Sequence, residues 1–196
     1  VLAFLSGYYK LESAPQEVDS ALYEFDRAVK DKEVLLGVAT TDFRPMAELG
    51  KWSQRYFGDN MYDLLLRQSI FQLLWNGGGS KAVQLAVFDK YEKLIAQYEA
   101  AGNRDAELLT RLERLMYWQR NGWRYPQQLS GEQVLEQLQA WAKAYDGVDA
   151  CAAVYIYWAD FYHQKQDFVS EMKVIEEGIK RYPSSEFTAD LKDKQR

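Results

Sequence analysis

Apolar residues recur along this chain at helical spacing, three and four apart. In residues 17–30, Val18, Leu22, Phe25 and Val29 share one face. The stretch 40–58 is less regular, with Pro45, Gly50 and Gly58 interrupting it. Asp59 is placed to cap a helix running through Trp75, with Leu64, Leu65, Ile70, Phe71 and Leu74 pointing inward. The glycines of NGGGS, 76–80, stop it. Ser80 caps the next helix, whose face reads Val83, Val87, Tyr91, Leu94 and Tyr98, and Gly102 is a left-handed stop. Leu108, Leu112 and Leu115 define the helix that follows after a turn short enough to make the two antiparallel neighbours, and Gly122 ends it. Ser130 and Gln133 form a capping box ahead of Val134, Leu138, Trp141 and Tyr145, and Gly147 closes that helix. Helices over 149–165 and 168–181 follow, then a short one beyond Pro183. The opening VLAFLSGYY is a first helix, entered without an initiator Met or a secretion-type cleavage site, as in a fragment or a processed product.

The pattern predicts an all-α fold of about eight helices stacked as antiparallel pairs, with no strand. Ala, Leu, Glu, Gln, Lys and Arg dominate and there are four prolines, which suits helices. The chain, 196 residues and 47% hydrophobic, is long enough to bury a core as a single helical-repeat domain spanning 1–196. Six Trp and fourteen Tyr are expected mostly between helices. The formal charge of −5 argues against a nucleic-acid partner, which needs a basic face, and against a polybasic membrane anchor. No apolar run reaches the roughly 18 residues that span a bilayer, so no direct membrane insertion is expected.

Helix pairs in series invite a search for repeats. The tetratricopeptide pattern places large residues on a first helix against small residues on both, and ends the second helix with proline. With the frame begun at Ala152, Tyr155, Trp158 and Tyr162 fill the large positions and Ala159 the close-approach position. Ile175 and Gly178 follow on the second helix, and Pro183 closes the unit. Glu171 departs from the pattern, standing where a small alanine is usual, so the second helix is expected to rotate or splay there. The best single unit is 152–185, in a tetratricopeptide-like α-α superhelix, with Trp158 buried between the last two long helices.

Candidate chemistry adds little. NGGGS lacks the Lys-Ser/Thr and the preceding strand of a phosphate loop. His163 is the single histidine and Cys151 the single cysteine; a four-ligand metal site needs several of either. On one helix, twelve residues at 1.5 Å rise put them roughly 18 Å apart, too far for a nucleophilic pair. His163 should lie at the edge of the packed face and Cys151 should be a small buried hydrophobe. Glu176 and Glu177, adjacent on a helix, diverge by about 100° and read as a solvated face. No catalytic residue, cofactor or metal is assigned. Tyr157 and Phe161, four apart, lie on a stripe beside the core positions and are the candidate interaction surface, meeting a further helix or a ligand.

Three stretches resemble the helical part of bacterial alpha-2-macroglobulin-like proteins. In 46–66 the match is carried by Gly50, Ser53, Tyr56, Phe57, Asp59 and the leucines at 64–66; 98–117 and 176–186 resemble later helical units. The resemblance implies a non-catalytic scaffold module of a much larger, exported cell-envelope protein that traps proteases, with the rest of the parent chain or another protein as partner. The thioester Cys-x-Glu-Gln element of that family does not occur, since Ala-Ala-Val follows Cys151. The alternatives are a stand-alone helical-repeat adaptor binding a peptide in its groove and, ranked below both, a helical enzyme.

Overall fold

The computed structural model describes residues 1–13, 17–40, 57–121 and 129–195; the expectations placed on Pro45, Gly50, Ser53, Tyr56 and Gly122 lie outside them. The protein is all-α, and the described residues contain ten helices and no strand. The helices fall into two compact units, residues 1–103 and 104–196.

The first unit holds α1 (Leu2–Ser13), α2 (Val18–Ala28), α3 (Lys32–Leu36), α4 (Met61–Asn76) and α5 (Lys81–Ala101). Helices α1 and α2 pair where Gly7 faces Ala21 and Phe25. A Cβ at Gly7 would lie 2.9 Å from the Phe25 ring, so only glycine permits this approach. Helix α4 packs on α1, α2, α3 and α5, and its first half, Met61 to Leu66, is buried on all sides. Lys90 of α5 is almost wholly buried and places its ammonium 2.7 Å from Asp26 of α2, joining the two helices by charge.

Caps bear out part of the sequence pattern. Ser80 Oγ accepts from Val83 N, and Gly102 ends α5 at φ +66°, a left-handed stop. The cap of α4 is a correction. Asn60, not Asp59, accepts the Asp63 amide at 2.9 Å, while Asp59 turns to the amide and hydroxyl of Thr40. A second correction concerns the far end of α4. Ser69, Ile70 and Leu73 point inward, while Phe71 and Leu74 face solvent. Helix α4 carries two apolar stripes at helical spacing, and α1, α2, α3 and α5 leave the second uncovered at this end.

The second unit holds α6 (Arg104–Asn121), α7 (Gly131–Ala144), α8 (Cys151–Gln164), α9 (Phe168–Arg181) and α10 (Phe187–Gln195). Helix α8 is its hub, touching α6, α7, α9 and α10. The small residues of Cys-Ala-Ala at 151–153, all buried, let neighbours close in on every side. No side chain of its own caps α8. Asp105 of α6 instead accepts the Ala150 amide at 2.8 Å, setting a carboxylate at the positive end of the helix. The capping box of α7 is present in both halves: Gln133 N donates to Ser130 Oγ at 3.2 Å, and Ser130 N donates to Gln133 Oε1 at 2.8 Å. Between α6 and α7, the Tyr145 hydroxyl donates to Glu107, which also pairs with Arg111 at 2.9 Å. Burial, reinforced by Glu107, pushes the Tyr145 hydroxyl up to about 12.

Within residues 152–185, α8 and α9 pack as a helix pair. Tyr155, Ala159, Ile175 and Gly178 are buried in its interface. A Cβ at Gly178 would lie 2.9 Å from Tyr155 Cβ and 2.9 Å from Leu191 Cδ1, so α9 meets α8 and α10 at one glycine. Trp158 is a correction: it is half-buried, tilted on Tyr155 at 5.7 Å, and its buried indole N–H has no acceptor among the described residues. The wide indole is covered only in part by the helix pair, although its N–H is enclosed.

Candidate interaction surfaces

The residues singled out as chemistry-bearing lie on α8 and the start of α9. Cys151 is fully buried, its thiol directed to the Ala142 carbonyl at 3.8 Å, and burial raises its pKa, which withdraws the thiolate needed for nucleophilic work. His163 stands at the exposed end of α8, as expected of the edge of the packed face. Its Nδ1 lies 3.0 Å from both carboxylate oxygens of Glu171. Sequence reasoning identified both residues but not the pairing. Glu171 is tolerated at a small-residue position because its buried carboxylate is taken up by the histidine across the α8–α9 turn. The Phe168 ring meets His163 edge-on at 5.7 Å, and Phe168 and Val169 are both exposed, so the tip of the pair presents an apolar edge. Glu176 and Glu177 are exposed, and Glu177 pairs with Arg181 at 2.9 Å.

The stripe of Tyr157 and Phe161 is half-buried. Phe161 meets a helix of its own unit: a Cβ at Gly131, the first residue of α7, would lie 3.3 Å from its ring. Lys165 sits over the same ring at 5.7 Å and pairs with Glu132 at 3.8 Å. The Phe161 end of the stripe is thus partly occupied by α7, with Tyr157 one turn earlier on α8.

A second surface, missed in the sequence, lies on α4. Trp75 is 79% exposed, Phe71 53% and Leu74 48%, and the Phe71 and Trp75 rings stack at 6.2 Å with 10° between planes. Leu85, one turn into α5, is also exposed. The signal was available in the spacing 71, 74, 75, which is as helical as the inward set.

Among the described residues, no three His, Cys, Asp or Glu side chains are grouped to hold a metal ion, and no helix is long and apolar enough to cross a membrane. No family model, curated protein or solved structure matches the chain.

Proposed function

We propose that the chain is a non-catalytic helical scaffold that presents the surface around α8 to a protein partner, with residues 152–185 as a tetratricopeptide-like unit within it. The observation supporting this reading is the meeting of Gly178 with Tyr155 and Leu191. A small residue lets one helix pair close and the following helix seat on the same spot, which is how helical arrays grow by nearest-neighbour contacts. On that packing, the exposed tip of Phe168 and Val169 is an apolar edge of the pair, and the half-buried Tyr157 stripe of α8 runs toward it.

The partner in this reading is the remainder of a larger cell-envelope alpha-2-macroglobulin-like chain. That part is supported by the resemblance of 46–66, 98–117 and 176–186 alone, and it is checked by reading the parent open reading frame for macroglobulin-type β-domains and an export signal.

The scaffold reading is tested by placing a photo-crosslinking amino acid at Tyr157 and, as a control, at the exposed Lys173 in the producing cell. The expected result is one discrete protein adduct, or a crosslink within the parent chain, at 157 and none at 173. Equal labelling at both positions, or none at 157, contradicts it. Turnover of a small substrate that His163→Ala abolishes would return the enzyme reading.

A further inference from the structure

We propose that the second half of α4 is a self-association face through which two copies of this chain pair about a two-fold axis. The inference is independent of the scaffold reading, since it rests on the other unit.

The face is built for a neutral partner. Residues 64–80 contain no Asp or Glu, although the chain has 29 of them. The cation within α4's exposed half, Arg67, is committed to the core side: its guanidinium lies 3.2 Å from the Phe57 ring centroid, and its Nε donates to Tyr98 Oη at 3.2 Å. What α4 offers solvent is aromatic and aliphatic, Phe71, Leu74 and Trp75, edged by the amides of Gln68, Gln72 and Asn76.

Charge decides among occupants. In an isologous interface every residue near the axis meets its own copy, so a charged face repels itself and an uncharged one does not. Amides carry donors and acceptors both, so they satisfy one another across such an axis. Phe71, Leu74 and Trp75 give an acidic or basic partner no charge to pair with, and the exposed Lys81, one turn before Leu85, belongs to the α5 edge. A membrane surface is disfavoured as well, because interfacial helices border their apolar stripe with Lys and Arg. A second copy supplies the same rings and amides that the face presents.

The area is of the right order. The exposed parts of Phe71, Leu74, Trp75 and Leu85 come to on the order of 400 Å² of apolar surface, within the size range of functional patches. A standard interface takes about 800 Å² per partner, so these side chains form its core and the amide edge its rim.

The test is sedimentation equilibrium over a range of concentrations. Residues 1–196 should show a monomer–dimer equilibrium between 22.8 kDa and twice that mass. Trp75→Glu and Phe71→Glu should each weaken dimerisation by about 30-fold or more, the effect of losing a central aromatic contact. Both positions are exposed, so far-UV circular dichroism and Tm should hold. Tyr23→Glu, at an exposed tyrosine of α2, should leave the dimer intact. A chain that stays monomeric to about 0.5 mM overturns the proposal, since its Kd would exceed that of any specific dimer of this size. Dimerisation unchanged by both α4 variants, or equally lost in Tyr23→Glu, overturns it too. So does a monomer that binds phosphatidylcholine or phosphatidylserine vesicles through Trp75.

Discussion

Tyr155 and Gly178 approach across the α8–α9 pair so closely that a Cβ at residue 178 would lie 2.9 Å from the Cβ of Tyr155. That atom is held to the α8 backbone and cannot swing aside. Leu191 closes the same spot from α10. Gly178→Ala gains up to about 1 kcal/mol of helix propensity and forces two helices apart, a strain of about 1–3 kcal/mol. The net expectation is destabilisation in urea, with the loss shared by α8, α9 and α10. Gly131→Ala, whose new Cβ meets the movable edge of Phe161 at 3.3 Å, should cost much less.

Lys90 and Asp26 should respond unequally to neutralisation. The ammonium is buried and the carboxylate is largely exposed. Asp26→Asn leaves the buried charge without its counter-charge and is expected to cost about 1–3 kcal/mol, discounted from the range for fully buried pairs. Lys90→Met removes the charge and keeps the buried stem, so it should cost less. Urea midpoints for the two variants check the order; a costlier Lys90→Met contradicts it.

Asp63 sets a pH dependence whose sign can be worked out. Burial raises its pKa, and this outweighs the nearby polar groups of Tyr98 and Asn60, the charge of Arg67 and the Gly58 amide, which donates to Oδ2 at 3.0 Å, all of which favour the carboxylate. Between the unfolded value near 3.9 and the higher folded value, the folded chain binds more protons, so stability falls as pH rises through that window. Asp63→Asn has no such proton. Its stability relative to wild type should therefore improve between about pH 3 and pH 7. Denaturant titrations at pH 3, 5 and 7 read this directly, and a relative stability that worsens with pH refutes the assignment.

Trp158 carries a buried N–H with no acceptor among the described residues. Leaving such a donor unpaired costs about 1–3 kcal/mol, while Trp158→Phe surrenders part of a half-exposed ring. The two effects nearly cancel, so Trp158→Phe should change stability by less than about 1 kcal/mol. Trp158→Ala, which also loses the contact with Tyr155, should be clearly worse.

What the sequence made legible was local. Ser130 with Gln133, Ser80 and Gly102 act within one turn of themselves, so their spacing was enough. The close crossing of α8 and α9 was legible because such an approach demands small residues, here Ala159 and Gly178. Features that depend on distant partners stayed hidden. Asp105 capping α8 and Asp26 neutralising Lys90 join residues 45 and 64 positions apart. Phe71 and Leu74 failed for another reason: α4 has two apolar stripes, and only the packed neighbours decide which one is inside. Of the candidate surfaces, the α8 stripe was visible as aromatic spacing, whereas the coverage of Phe161 by α7 was not.

The scaffold reading stands on α8 as the hub of its unit, and native-state hydrogen exchange tests that most directly. Amides that open only with the whole unit exchange slowest, and those in fraying or peripheral helices exchange fastest. Helix α8 touches α6, α7, α9 and α10, whereas α10 touches α8 and α9. The account predicts that amides from Val154 to Ala159 are the last in residues 104–195 to exchange, and that those of α10 exchange well before them. Amides of α8 exchanging as fast as those of α10 would contradict it.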